Sequence, residues 1–281
     1  MSRILTVLAC QIEIPAIRTE AERDRHLDAT AKRIDAHVAE GPVDLVVLPE
    51  LSALDYSRAS FERLASLAEP LDGPSFRVYS ALARRFGIAI VYGIAQRSDE
   101  GVLITQVAVG PSGALIGSFD KIHLAQYGAS IEKDYFARGR RLFTFEFRGV
   151  RIAPIICYDI RIPELTRSLA LDQGVELLLH CGAYARDESF DSWHDFVVAR
   201  AMENQIYLLS LNRAGVDFGN SLFCGPWSDR EHPPIGFPEH AEAYQRLEVD
   251  QGEIARVRAS YSFLADRLPD YRALGQKVIA A

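Results

Sequence analysis

Apolar positions along the chain follow two alternating rhythms. Ile4 to Ile12 is a short, largely apolar run of strand type. From Ala21 to Glu40, the residues Leu27, Ala31, Ile34 and Val38 recur three or four apart, which predicts one apolar helix face before the Gly41-Pro42 stop. Val43-Asp44-Leu45-Val46-Val47-Leu48 is nearly continuous in apolar residues, as in strands covered on both faces. Strand, helix, strand is a β-α-β unit, implying parallel pairing and a right-handed crossover. Past the turn at Asp72-Gly73-Pro74, Ser75 to Phe86 is a second amphipathic helix closed by Gly87, and Ile88 to Ala95 is another strand.

The middle of the chain changes character. Val102–Val109 and Ala114–Phe119 flank Gly110-Pro111-Ser112-Gly113 and predict an antiparallel hairpin running into Asp120-Lys121-Ile122-His123-Leu124. Residues 125 to 141 form a long loop, a feature that is usually functional or disordered. Phe143 to Phe147 alternates, turns at Arg148-Gly149, and leads into the strand before Cys157. The β-α-β pattern then returns: a helix from Pro163 capped by Gly174, a strand over Val175–Cys181, a helix over Ser192–Asn204, and a strand over Gln205–Leu211. The two halves share a layout but not a sequence, and no linker-like tract divides them. The expected fold class is α/β, a single domain over residues 1–281 in which a sheet from each half packs face to face with helices outside. The apolar tail, residues 259–281, needs a surface to pack on, and a neighbouring subunit would provide one.

Composition narrows the partners. With 31 basic and 38 acidic residues the chain carries a formal charge of −7, which argues against nucleic acid and anionic membranes. No apolar stretch reaches the ~18 residues of a membrane span. The N-terminus resembles a strand more than a signal peptide, its apolar run being followed by Gln11 and Glu13. Cys10, Cys157, Cys181 and Cys224 form no C-x-x-C pair, so reduced thiols in a cytoplasmic protein are expected, without a metal site.

One stretch concentrates candidate chemistry. Cys157 stands where a buried strand gives way to a turn before a helix, and open α/β sheets place reactive groups at such strand ends. Taken alone, Cys157 reads first as a small core hydrophobe. An ordinary thiol, with a pKa near ~8.5, needs activation at neutral pH. Glu50 follows the apolar run ending at Leu48, where a carboxylate with raised pKa could act as base; its alternative is a helix cap or a surface turn. Lys121 follows another strand, where it could favour a thiolate and hold an oxyanion, or be a solvated rim residue.

Pro49-Glu50, Asp120-Lys121-Ile122-His123-Leu124 and Cys157-Tyr158-Asp159-Ile160-Arg161-Ile162-Pro163-Glu164-Leu165 together resemble the nitrilase superfamily of carbon–nitrogen hydrolases. The flanks are similar as well: Ala199-Arg200-Ala201-Met202-Glu203-Asn204-Gln205, Asn212-Arg213-Ala214-Gly215 and Arg267-Leu268-Pro269-Asp270-Tyr271. The resemblance implies a four-layer αββα sandwich and a Glu-Lys-Cys triad. Glu50 would be the base, Cys157 the nucleophile that becomes a thioester, and Lys121 with the backbone N–H of Tyr158 the oxyanion site. Glu132 matches a second, supporting glutamate, although Ala137-Arg138-Gly139 departs from the family's Pro-Gly there; its alternative is a solvated loop charge. Tyr56, Gly182 and Ala183 would line the pocket. Asp55 stands where the family often has glycine. His123 reads as a satisfied structural histidine, and His180 and Cys181 would point to opposite faces of their strand.

Nitrile-cleaving members usually carry Cys-Trp-Glu, whereas Cys157-Tyr158-Asp159 is more like the amidase branches. The resemblance therefore implies hydrolysis of a small amide without metal or organic cofactor, in a homo-oligomer. An N-carbamoyl amidase or nitrilase with the same triad, or a binding protein whose chemistry is lost, are the competing readings.

Overall fold

The computed structural model describes residues 4–271, 274 and 275. In chain order, β1 (Ile4–Gln11), α1 (Glu20–Ala39) and β2 (Leu45–Val47) form the first β-α-β unit, with β1 and β2 parallel. Thr19 starts α1 with a reciprocal cap: its hydroxyl accepts from Glu22 N at 3.3 Å while the Glu22 carboxylate accepts from Thr19 N at 3.0 Å. Two short helices, α2 (Arg58–Phe61) and α3 (Leu64–Leu67), precede α4 (Pro74–Phe86), which opens on Pro74 and closes on Gly87 at φ 67°. Next come β3 (Ala89–Ser98), β4 (Gly101–Val109) and β5 (Leu115–Asp120) as an antiparallel meander, then β6 (Phe145–Phe147) and β7 (Val150–Ile156) as a hairpin. After α5 (Pro163–Arg167) a π-helical turn spans Ser168–Asp172, and β8 (Leu177–Cys181), α6 (Trp193–Asn204) and β9 (Tyr207–Leu211) extend the second sheet with parallel pairs. The chain ends with β10 (Leu222–Cys224), β11 (Ile235–Gly236), β12 (Ala243–Asp250), α7 (Gln251–Ser260) and α8 (Phe263–Asp266).

The strands make two six-stranded sheets, ordered β12-β1-β2-β3-β4-β5 and β11-β10-β9-β8-β7-β6. Period-two alternation assigns each strand's side chains to one of two layers. Val7, Ala9, Leu45 and Val47 meet Leu177, Leu179 and Leu209 between the sheets. Leu8, Val46 and Ile90 pack outward beneath α1 and α4. Ile155, Leu178 and Leu208 pack on the opposite side against Trp193, Val197 and Ala201 of α6. Helix, sheet, sheet, helix: this is the αββα sandwich. Each Leu or Val sealed in these layers contributes about 1.5–3 kcal/mol of burial free energy.

The sequence pattern understated the C-terminal part. The first sheet is not built from the first half alone, because β12 pairs antiparallel with β1 along its whole length. It is a sheet-edge strand with only Leu247 and Val249 turned inward, so charged neighbours mask its alternation. The tail begins on α7 and α8. Phe263, Leu268, Tyr271 and Leu274 are exposed, and Tyr261 stacks on Trp227 of the same chain with ring centroids 3.7 Å apart. Residues 272–273 and 276–281 of that tail lie outside the described residues. Among the described residues no helix is long and apolar enough to cross a membrane.

Candidate active site

Three chain segments that leave the sheets converge. The turn after β2 carries Glu50, the residue after β5 is Lys121, and β7 runs directly into Cys157. The Lys121 ammonium, fully buried, bridges Glu50 Oε1 at 2.9 Å and Glu132 Oε1 at 2.6 Å. Glu132 sits on a short 3-10 turn (Glu132–Asp134) in the long loop. Its Oε2 accepts from Ala125 N at 2.8 Å, and its Oε1 also accepts from the Tyr56 hydroxyl at 2.7 Å. The solvated-loop reading of Glu132 therefore does not hold: the side chain is sealed and fully engaged. Glu50 Oε2 is buried and has no hydrogen-bond partner among the described residues.

Cys157 opens a 3-10 turn (Cys157–Arg161) at φ 46°, a left-handed conformation that costs a non-glycine residue about 1–3 kcal/mol. The surroundings hold it there. Asp159 Oδ2 accepts from Ile156 N at 3.1 Å, and Asp159 Oδ1 accepts from His123 N at 2.9 Å and faces His123 Nδ1 at 2.7 Å. The Cys157 carbonyl accepts from His180 Nε2 and from the Tyr184 hydroxyl, both at 2.9 Å. His123 is thus tied to Asp159, and His180 points to the Cys157 turn while Cys181 joins the layer between the sheets.

Electrostatics give these groups distinct tendencies. Burial pushes the Cys157 thiol up, opposed by Lys121 and by the Ala183 N–H that bonds the sulfur, so the resting group is a thiol. Burial also raises Glu50 above the usual carboxylate range, only partly countered by Lys121. Burial works against the charge of Lys121, but its anionic neighbours Glu132 and Glu50 outweigh it and hold the ammonium protonated. A proton passing from Cys157 to Glu50 leaves the net charge of the cluster unchanged, so the transfer adds no uncompensated charge to a dry site.

Backbone fit fixes the Glu50 turn. Arg213, fully buried, donates through one nitrogen to the carbonyls of Glu50 and Leu51 at 3.0 Å and of Leu54 at 2.8 Å. Gly93 lets this turn approach β3: a Cβ there would meet Leu51 N at 2.5 Å and Pro49 O at 2.6 Å. Asp55, in place of a glycine, ties the following loop down by accepting from Ile17 N and from Arg18 at 2.8 and 2.7 Å. Of the pocket residues expected from sequence, Tyr56 and Ala183 touch the cluster. Gly182 instead bonds Leu211 through its N–H and leaves room for the Tyr184 ring, which a Cβ would meet at 2.8 Å. Tyr158 lines a 380 Å³ cavity with Ile122, His123, Leu124, Lys133, Phe136 and Arg138 beside the cluster. Neither this cavity, which reaches only the chain neighbours of Lys121, Glu132 and Cys157, nor a larger groove of 520 Å³ at Glu13, His26, Arg33 and Glu242 is lined by the four clustered residues themselves.

His180, Tyr184, Asp159 and Arg213 carry no role in the sequence reading. Asp159 and Arg213 stand inside recognised motifs, which was the available signal; His180 and Tyr184 act across strands and leave none.

A two-sheet αββα sandwich with Glu, Lys and Cys at three strand ends defines the class. The sequence model of the carbon–nitrogen hydrolase family matches residues 6–243, and the chain belongs to that family. It is 31% identical to a 2-oxoglutaramate amidase of Bacillus subtilis over 79% of this chain and 84% of the relative. It is 30% identical to a probable nitrilase of Schizosaccharomyces pombe over 81% of this chain and 83% of the relative. The fold is similar to that of a carbon–nitrogen hydrolase from Helicobacter pylori, with a TM-score of 0.82 at 22% identity over 95% of this chain and 96% of the other.

Proposed function

We propose that the protein hydrolyses the C–N bond of a small amide through a thioester on Cys157, releasing ammonia or an amine. The carrying observation is the buried Lys121 bridge between Glu50 and Glu132, set beside a strained cysteine. Glu50 takes the thiol proton through its free oxygen, and the sulfur adds to the amide carbonyl. Lys121 Nζ and Tyr158 N–H, a first-turn donor without a partner inside its own turn, hold the oxyanion. Glu50 returns the proton to the departing nitrogen. It then deprotonates a water that attacks the thioester, and the sulfur leaves with the proton from Glu50. Glu132, held by Tyr56 and Ala125, keeps Lys121 in place.

The similarity to a 2-oxoglutaramate amidase favours a small aliphatic amide. Matched amide, N-carbamoyl and nitrile substrates, followed by ammonia release and intact-protein mass, test the reading. The expected result is an acyl adduct on Cys157 with the amide and no turnover by Cys157→Ala; turnover retained by that variant refutes it. A cytoplasmic setting fits the four free cysteines. The exposed apolar tail supports a homo-oligomer, and a monomer by light scattering counts against it.

A further inference from the structure

The Cys157 carbonyl and the Tyr158 N–H belong to one peptide group. In a trans peptide the two point in opposite directions, so whatever grips the oxygen aims the N–H. Two side chains grip it, and one of them heads a chain. A carbonyl can only accept, so His180 Nε2 carries the hydrogen in its 2.9 Å bond to Cys157 O. Trp193 Nε1 can only donate, so Ser210 Oγ accepts from it at 2.9 Å. The Ser210 hydroxyl hydrogen is then free for His180 Nδ1, 2.7 Å away. Every donor and acceptor in the line Trp193, Ser210, His180, Cys157 matches one neutral tautomer. Burial supports it by holding the imidazole near a pKa of about 3. All three side chains are sealed from solvent, and α6, β8 and β9 supply them from behind the nucleophile turn.

We infer that His180 is a positioning residue: through the Cys157 carbonyl it aims Tyr158 N–H at the developing oxyanion. The inference rests on the proposed role of Cys157. It makes a separable prediction, because alkylation of a thiol by iodoacetamide needs no oxyanion donor, whereas addition to a carbonyl does. A small aldehyde analogue of the amide provides the second case. Its carbon bonds to the sulfur, the thiol proton ends on its oxygen, and that oxygen lies where the oxyanion would form.

Three variants are compared with the whole enzyme by aldehyde inhibition constant, kcat, rate of iodoacetamide alkylation at Cys157, and thermal midpoint. His180→Leu keeps the bulk and removes the donor. It should weaken aldehyde inhibition and kcat together by about 10²-fold, as for loss of an oxyanion donor, with alkylation nearly unchanged. His180→Gln, whose amide nitrogen reaches a similar place, should recover most of both. Ser210→Ala keeps the imidazole but removes the partner that selects its tautomer, and should cost about fivefold in aldehyde inhibition and kcat, with alkylation unchanged. This milder variant decides the matter if His180→Leu does not fold. Aldehyde inhibition that is unchanged in Ser210→Ala, that falls in step with alkylation, or that Gln restores no better than Leu overturns the inference. If the aldehyde does not inhibit the wild type and Cys157→Ala still turns over, the nucleophile assignment fails, and the inference with it.

Discussion

Replacing Lys121 with methionine removes a charge and little volume from the centre of the site. At an effective dielectric near 20, a cation 2.9 Å from Glu50 and 2.6 Å from Glu132 attracts each carboxylate by about 6 kcal/mol before desolvation is subtracted. After desolvation, loss of one partner from a buried pair typically costs about 3–5 kcal/mol. In a chain of this length that is a fall of about 10 °C in melting temperature at pH 8. The deficit should depend on pH. Without the ammonium, the already raised Glu50 pKa climbs further, so the folded value lies well above that of the unfolded chain. Stability from such a group is complete below about pH 4.5 and is lost as pH rises through the folded value. Lys121→Met should therefore be nearly as stable as wild type at pH 5 and much weaker at pH 8. Adding Glu132→Gln removes one of the two carboxylates left without a cation and should recover part of the stability, while Glu50 remains unpaired. It should not recover turnover, which stays down by about 10²–10³-fold because the proposed oxyanion donor is still missing. Thermal melts across pH 5–8 and ammonia release make both measurements. A double variant that regains turnover would show that Lys121 serves charge balance only, and a deficit independent of pH would refute the electrostatic argument.

Two other outcomes follow from packing and burial. Gly93→Ala drives a Cβ into the backbone at Leu51 and Pro49, so it should cost about 1–3 kcal/mol. It should also lower kcat by about 10²-fold through displacement of Glu50; unchanged kcat means the turn is not held by β3. His180 is neutral when folded, with a pKa near 3, but takes a proton near 6.5 when unfolded. Between those values the unfolded state binds one more proton, so stability falls on acidification by about 1.4 kcal/mol per pH unit from this residue. Urea midpoints from pH 4 to 7 should show a shallower acid slope in His180→Gln, and equal slopes would refute the burial argument.

Much of this protein was legible along the chain. Period-two and period-three-to-four apolar patterns marked the two β-α-β halves, because burial on one face or both dictates residue type directly. The motifs around Glu50, Lys121 and Cys157 marked the strand ends, because a turn that must expose a functional group constrains its neighbours in sequence. What escaped were features set by contacts between distant segments. β12 buries only Leu247 and Val249 fully, between charged neighbours, so only pairing with β1 reveals it. Glu132 was named only through the family resemblance, and its partners Tyr56, Ala125 and Lys121 come from the fold that closes around it. His180 is one polar residue in an apolar strand until β9 and α6 bring Ser210 and Trp193 behind it. The sequence alone thus determined the elements and the strand ends at which Glu50, Lys121 and Cys157 stand, because hydrophobic periodicity and turn chemistry are local. Tertiary structure decided which polar groups are sealed, partnered and aimed, because desolvation and hydrogen-bond direction exist only once separate segments meet.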